Sequence, residues 1–322
     1  MTNEEKVDVL KEALPYIIAF HGKVFVIKIG GELAGDVESL DSIAGDIVFL
    51  RHVGVNVIVV HGGGPQATKL AEERGIQPKI VQGLRVTDIE MLNIAKMVYA
   101  GQVNTDIIAN LRKHELMTPD KSRLTIQRTA DSGRTPGGVG LTGVDGNLIR
   151  VKKKGAVDGE DLGYVGEIEV VNPDILHDLI EKRYIPVVAC LGFDEHGDVY
   201  NINADTVAAE LALHMEVEKL IVLTNVPGVL KDPADADSLI SYLDVEEAKA
   251  MLTTDALTGG MIPKLEACIA TVESKKVERA HILQGTKKGS LLVEVLTRGG
   301  SGTMIVTSEE ADKYEEKELL VE

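Results

Sequence analysis

VFVIKIGG (24–31) and VNVIVVHGGG (55–64) are the two stretches whose reading decides the fold. Each is a short run of β-branched and apolar residues that ends in glycine. That pattern reads as a strand buried on both faces, followed by a tight turn. Between them, Leu40, Ile43, Ile47 and Leu50 recur at helical spacing, which predicts a helix over 39–53. After the second run, PQATKLAEERG predicts another helix, with Pro65 in its first turn and Gly75 at its C-terminal end. The order β–α–β–α implies a parallel sheet in an α/β fold.

Outward from this core, residues 4–20 predict a helix on the spacing of Leu10, Leu14, Ile17 and Ile18. Residues 87–114 predict one long helix, opened by a capping box of Thr87 and Glu90. Residues 118–170 change character. LTIQR, VGLTG, VDGNLIRV and YVGEIEVV alternate with Gly, Asp and Asn turns and read as hairpins. The α/β alternation then returns, with helices over 174–183, 203–215, 245–252 and 262–274 and strands over 185–192 and 219–226. AHILQG, SLLVEVLT and GTMIV finish the fold, and a charged tail follows Val306.

The chain has 322 residues, 44% of them hydrophobic, enough for one large α/β domain or two closely joined lobes. With no Trp and 3% aromatics, the core must be aliphatic. A formal charge of −17 disfavours nucleic acid and anionic membranes as partners, while leaving room for a locally basic site. Cys190 and Cys268 sit in apolar runs and read as buried thiols, not as a disulfide or metal pair. The N-terminal stretch lacks an apolar signal core, and no run approaches the roughly 18 apolar residues of a membrane span. The expected location is the cytoplasm.

The residues suited to chemistry follow the strands. Gly30-Gly31 and Gly62-Gly63-Gly64 end consecutive strands, where backbone N–H groups can approach an oxyanion closely. The competing reading of each is a plain tight turn. Lys28 interrupts an apolar strand and, if buried, needs an anionic partner. Arg85, in GLRVT, suits a bidentate contact to a carboxylate, or is a surface arginine near a helix start. In NINAD (201–205), Asn203 suits an N-cap and Asp205 either a dipole-matching acid or the counter-ion of catalytic lysines. Lys264, just after Pro263, sits at a helix N-terminus, an unfavourable place for a cation unless a phosphate meets it there. Gly138-Val139-Gly140-Leu141-Thr142-Gly143 matches G-x-G-x-x-G outside the strand–helix context a dinucleotide site requires, and no Walker-type loop is present. His61 reads equally as a base or a packed turn residue. Lys152, Lys153 and Lys154 read as a solvated hairpin face.

VIKIGG (26–31), VVHGGGPQ (59–66), GLRVTD (83–88), YIPVVACLG (184–192), YNINADT (200–206), KLIVLTNVPGV (219–229) and GGMIPKLEAC (259–268) together resemble the amino-acid kinase family. They occur in its order over roughly residues 10–306, and the combination of GLRVT, NINAD and GMIPK is that of its acetylglutamate-phosphorylating members. The resemblance implies a three-layer αβα sandwich around a mainly parallel sheet, in two lobes. Residues 1–22 would be an oligomerisation helix, 23–215 the lobe for the acyl acceptor, 216–306 the ATP lobe and 307–322 the charged tail. It implies that Lys28 and Lys264 contact the transferring phosphoryl group and that Asp205 organises them. Gly30 and Gly31 would serve the phosphates. Gly63, Gly64, Arg85 and Asn201 would hold N-acetyl-L-glutamate. Thr224, Val226, Gly228 and Met261 would line the site for ATP, which brings Mg²⁺ with it; no protein-held metal is implied.

The resemblance extends to regulation. ALPYI (13–17) with Gly22-Lys23 looks like the extension of arginine-inhibited hexameric members. His281, Glu294 and Gly300, joined by Lys231, fall at the spacing of their L-arginine site. Two positions depart from the family: Asn225 stands where Asp is usual, and Glu32 where many members have Asn. The segment 117–138 is longer than usual. The rival readings are a kinase for an acetylaminoadipate-type acceptor, an arginine-binding sensor with weak catalysis and, least fitting, a dinucleotide dehydrogenase.

Overall fold

A computed structural model of the protein describes residues 2–117, 137–232, 234–235, 237–253, 257 and 259–310. The LTIQR run, most of the 117–138 segment and the tail beyond residue 310 lie outside the described residues.

The chain opens with α1 (Asn3–Phe20), β1 (Val24–Ile29), the short α2 (Gly31–Gly35), α3 (Val37–His52), β2 (Asn56–His61) and α4 (Gly64–Glu73). Asp36 caps α3 by accepting from the Ser39 N–H. A small hairpin, β3 (Ile80–Val81) and β4 (Leu84–Arg85), precedes α5 (Ile89–Ala95), a π-helical stretch (Lys96–Val103) and α6 (Asn104–Met117). Next come β5 (Gly138–Thr142), β6 (Ile149–Lys153), β7 (Gly166–Val171), α7 (Asp174–Glu181), β8 (Ile185–Ala189), β9 (Leu191–Phe193), β10 (Val199–Asn201) and α8 (Ala204–His214). The last part holds β11 (Lys219–Thr224), β12 (Tyr242–Asp244), α9 (Val245–Leu252), α10 (Ile262–Glu273), β13 (Arg279–Gln284), α11 (Ser290–Leu296) and β14 (Thr303–Val306).

The main sheet runs β12-β14-β13-β11-β1-β2-β8-β5. It is parallel except where β13 meets β14. Helices α3 and α6 pack together over one part of the sheet, and α8, α9 and α10 form a second packed group. Strands enclosed in this way must be apolar on both sides, and Phe25, Val26, Ile27 and Ile29 of β1 are fully buried. Burial of each such side chain contributes about 1.5–3 kcal/mol. A second sheet, β10-β9-β6-β7, stands beside the main one.

Three sequence expectations change. The box at Thr87 is absent: Asp88 is the N-cap of α5 and accepts from the Met91 N–H, because the Thr87 hydroxyl donates to the Arg85 carbonyl instead. The long helix over 87–114 is broken by the π-helical turns. VGLTG is not a hairpin strand but the edge of the main sheet, parallel to β8, with Gly138 opposite Ile185. Its glycines have a packing reason. A side chain at Gly140 would collide with Asn104 of α6, and one at Gly143 with the Leu191 carbonyl. That accounts for the G-x-G-x-x-G match without a nucleotide. The hairpin expectation holds for β6 and β7, which pair antiparallel.

Candidate active site

β1 sits between β2 and β11, and the chain builds outward from it in both directions. At such a switch point the connections beyond the strand ends diverge and leave a crevice. Lys28, near the end of β1, reaches that crevice with only 5% of its surface exposed. Its ammonium lies 2.7 Å from Asp205 Oδ1. Lys264 lies 3.4 Å from Asp205 Oδ2 and also donates to the Gly260 carbonyl at 3.0 Å. Asp205 is held in the first turn of α8, where Asn203 caps the helix by accepting from the Asp205 and Thr206 N–H groups. Pro263 sits in the first turn of α10 and sets Lys264 at that helix's N-terminus.

One carboxylate thus serves two lysines. Burial by itself would raise the Asp205 pKa, but the charges of Lys28 and then Lys264 outweigh it and hold the group below the ordinary carboxylate value. Lys264 is lowered, first by burial and then by the Lys28 charge. The cluster carries one positive charge more than it balances, and in a poorly solvated place that surplus calls for an anion.

A cavity of about 240 Å³ opens from this cluster and is lined by Lys28, Gly31, Gly62 to Gly64, Arg85, Tyr99, Asn201 and Asp205, among others. The Arg85 Nη2 donates to the Gly64 carbonyl at 3.0 Å and to Thr68 Oγ1 at 2.8 Å. Its Nη1 is buried and has no hydrogen-bond partner. A guanidinium anchored in this way at the wall of the cavity suits a carboxylate. Asn201 Nδ2 donates to Thr87 Oγ1 at 3.2 Å, which ties the end of β10 to the loop before α5. Gly63 must lack a side chain: a Cβ there would fall 2.6 Å from Tyr99 Cδ1. Tyr99 lies in the π-helical stretch, 4% exposed. Sequence periodicity missed it, since a tyrosine in an apolar helix reads as core. The available signal was a π-turn, which often marks function but has no clear sequence signature.

The remaining predicted residues fall elsewhere. Thr224 ends β11, Val226 and Gly228 follow it, and Met261 is the N-cap of α10; none of the four lines this cavity. His61 is fully buried. Its Nδ1 meets the Gly62 carbonyl and its Nε2 meets Asn104. Burial lowers its pKa to about 4, so it is a packed turn residue. Cys190, also fully buried, has its thiol pushed up to about 12 by burial. Lys152 and Lys153 pair with exposed Glu167 and Asp161 as a solvated face.

A second network lies at the other end of the central strands. Lys219 Nζ is 3.1 Å from His281 Nε2, and His281 Nδ1 is 2.7 Å from Glu294 Oε1. Glu294 also accepts from the Ser301 and Gly302 N–H groups, and Gly300, just before them, is left-handed, at φ +58°. Burial, then the Lys219 charge, lowers the His281 pKa to about 4. The imidazole is therefore neutral at pH 7, accepting from Lys219 and donating to Glu294. Burial and the nearby Arg279 lower Lys219 to about 8. Among the described residues no hydrogen bond or ion pair joins Lys231 to this network; the lysine bonded to His281 is Lys219. Helix α1 packs on α11 above it, and Lys219 lies 5.2 Å from the centre of the Phe20 ring.

A sequence profile of the amino acid kinase family matches residues 23–284. The acetylglutamate kinase of Methanosphaera stadtmanae is 43% identical over 95% of this chain and 99% of its own length. That of Aquifex aeolicus is 42% identical over 94% and 97%. The N-acetylglutamate synthase of Neisseria gonorrhoeae, solved with coenzyme A and N-acetyl-glutamate, superposes with a TM-score of 0.79 at 28% identity; the match covers 94% of this chain and 63% of the synthase chain. Carbamate kinase from Giardia lamblia, at 17% identity and a TM-score of 0.62 over 89% of this chain and 99% of its own, shares the fold. The chain belongs to the amino acid kinase family and is an enzyme of its acetylglutamate kinase group.

Proposed function

We propose that the protein transfers the γ-phosphoryl group of ATP to the γ-carboxylate of N-acetyl-L-glutamate, as a step of arginine biosynthesis in the cytoplasm. One observation carries the reading: Lys28 and Asp205, of the Lys28–Asp205–Lys264 cluster with its surplus positive charge, line the same cavity as Arg85. A site with a cationic end and a guanidinium at some distance suits an acceptor with two carboxylates. Arg85 and Asn201 hold the α-carboxylate side, and the γ-carboxylate is directed toward the lysines.

The chemistry asks little else of the protein. A γ-carboxylate with a reference pKa near 4.3 is already ionised at neutral pH, so no general base is required. Its oxygen attacks the γ-phosphorus, the bond to the β-phosphate oxygen breaks, and ADP leaves with that electron pair. The barrier is the approach of two anions and the charge spread over the γ-oxygens. Lys28 and Lys264 neutralise that charge, and the N–H groups of Gly31, Gly63 and Gly64 can donate to the oxygens, while Gly30, whose N–H is taken by the Leu223 carbonyl, shapes the turn that presents them. Asp205 orients both lysines. Because it is already engaged by them, we assign it no metal; Mg²⁺ arriving on ATP would offset further phosphate charge. Thr224, Val226, Gly228 and Met261 are assigned to the nucleotide, residues 23–215 to the acceptor lobe and 216–306 to the nucleotide lobe.

We assign regulation by L-arginine to the region of His281, Glu294 and Gly300, with Lys219 in the place expected of Lys231. A cleft lined by Lys11, Tyr16 and Arg298 lies between α1 and the turn after α11, and it supports a ligand there. On α1, Val7, Leu10, Leu14 and Ile18 are 48–69% exposed. That stripe supports assembly through α1, in our reading as a hexamer.

The test is ATP-dependent acyl phosphate formation trapped with hydroxylamine. N-acetyl-L-glutamate should turn over and L-arginine should suppress it. Turnover only with an acetylaminoadipate acceptor would overturn the substrate assignment, and full activity in millimolar arginine the regulatory one.

A further inference from the structure

Asn225 is fixed at both ends of its side chain. Its Oδ1 accepts from Thr224 Oγ1 at 3.3 Å. Its Nδ2 donates to Glu32 Oε2. Glu32 lies in the first turn of α2, directly after Gly30 and Gly31, and Asn225 directly follows β11. The underlying strands are neighbours, with Ile29 opposite Leu223, and the Gly30 N–H donates to the Leu223 carbonyl at 3.1 Å. The side-chain pair therefore bridges two segments just past the ends of adjacent parallel strands. One is the glycine turn assigned above to phosphoryl oxygens. The other begins the 224–228 segment assigned to the nucleotide.

Both partners are exposed, so the pair is not there to satisfy buried atoms, and an exposed polar pair adds little to stability. Its polarity is nevertheless defined. Because Thr224 donates to the amide oxygen, the amide N–H₂ is turned to Glu32. An aspartate at 225 would still accept from Thr224 but would set a second carboxylate against Glu32. The one negative charge between these segments is thus carried on α2 and aimed from β11.

We propose that Glu32 and Asn225 form a positioning pair for the nucleotide, in which carboxylate and amide are interchangeable only together. The proposal rests on the kinase reading above for the identity of the ligand. It inverts the simple expectation from the family, that restoring Asp at 225 would improve the enzyme.

The experiment compares the wild type, Asn225→Asp, Glu32→Asn and the double exchange Glu32→Asn/Asn225→Asp. Each is measured for affinity toward a non-hydrolysable ATP analogue by calorimetry, for KM of ATP and kcat, and for melting temperature. Two unit charges at hydrogen-bond distance near a surface are worth about a factor of ten in an equilibrium. Asn225→Asp should weaken the analogue about tenfold and raise KM for ATP similarly, and Glu32→Asn about three- to tenfold. The double exchange should return to within about threefold of wild type, with melting temperatures moving by no more than about 2 °C. Unchanged or tighter binding in Asn225→Asp, or a double exchange no better than the worse single variant, overturns the proposal. Rescue of analogue binding in a protein that makes no acyl phosphate would sink the kinase reading and leave the pair standing. An active kinase with silent single variants would sink the pair alone. A wild type that binds no adenine nucleotide overturns both.

Discussion

Two buried lysine–carboxylate networks are built on the same pair of neighbouring strands, and they are not alike. Lys28 stands opposite Val222 and Lys219 opposite Phe25, three residues apart in register, roughly 10 Å along the sheet. Toward the carboxyl ends, Lys28, Asp205 and Lys264 give two cations to one anion beside an open cavity. Toward the other end, Lys219, a neutral His281 and Glu294 balance to zero, and Glu294 is further satisfied by the Ser301 and Gly302 N–H groups. Surplus charge and unsatisfied atoms invite a ligand. Balanced charge holds elements together, so a ligand there must rearrange the network to bind, which suits control better than catalysis.

The sharpest way to break that comparison is to remove one lysine from the first network. Lys28→Met or Lys264→Met should lower kcat about 10²–10³-fold, with KM for ATP changed much less, because the charge is needed most in the transition state. Steady-state kinetics check this, and a uniform rise in both KM values with kcat intact would refute it. In the second network, Glu294→Gln should leave kcat within about twofold while raising the half-inhibitory arginine concentration about tenfold or more. A fall in kcat matching that of the lysine variants would erase the distinction between the two ends. Arg85→Lys keeps the charge but loses the fork. KM for the acyl acceptor should rise about tenfold with kcat nearly unchanged, and an equal fall in kcat would move Arg85 from binding into the chemistry.

The smallest effect concerns stability. Lys219 releases its proton near pH 8 in the folded chain and near 10.5 when unfolded. Between those values the unfolded chain binds more protons, so the lowered pKa makes stability rise with pH across that window. Lys219→Met should abolish that rise, worth about 1–2 kcal/mol, as read from denaturant midpoints between pH 7.5 and 10. A rise of the same size in the variant would show that another group is responsible.

Much of the active site was legible because its residues violate their surroundings. A lysine in an apolar strand, a lysine at a helix N-terminus and glycines at two strand ends each contradict local expectation, and all fall at one place. Tyr99 and the partners of Asn225 were not legible. Tyr99 agrees with its apolar helix and matters only because the π-turn sets it over Gly63. Asn225 reads as a lost acid until Glu32 is seen across from it. Lys219 was not legible as a partner of His281, because spacing along the chain does not say which lysine lies beside His281 in the next strand.

The sequence by itself determined the alternation of strands and helices, the parallel core and the chemical kind of the site. Those depend on periodicity, turn residues and the sign of charge, which are local. The tertiary structure alone decided which charges face one another: that Asp205 serves two lysines from separate helices and strands, that Glu32 meets Asn225, and that His281 sits neutral between Lys219 and Glu294. Those pairings depend on strand order and register, because electrostatic and hydrogen-bond energies fall off over a few ångströms, whereas the partners lie tens to hundreds of residues apart along the chain.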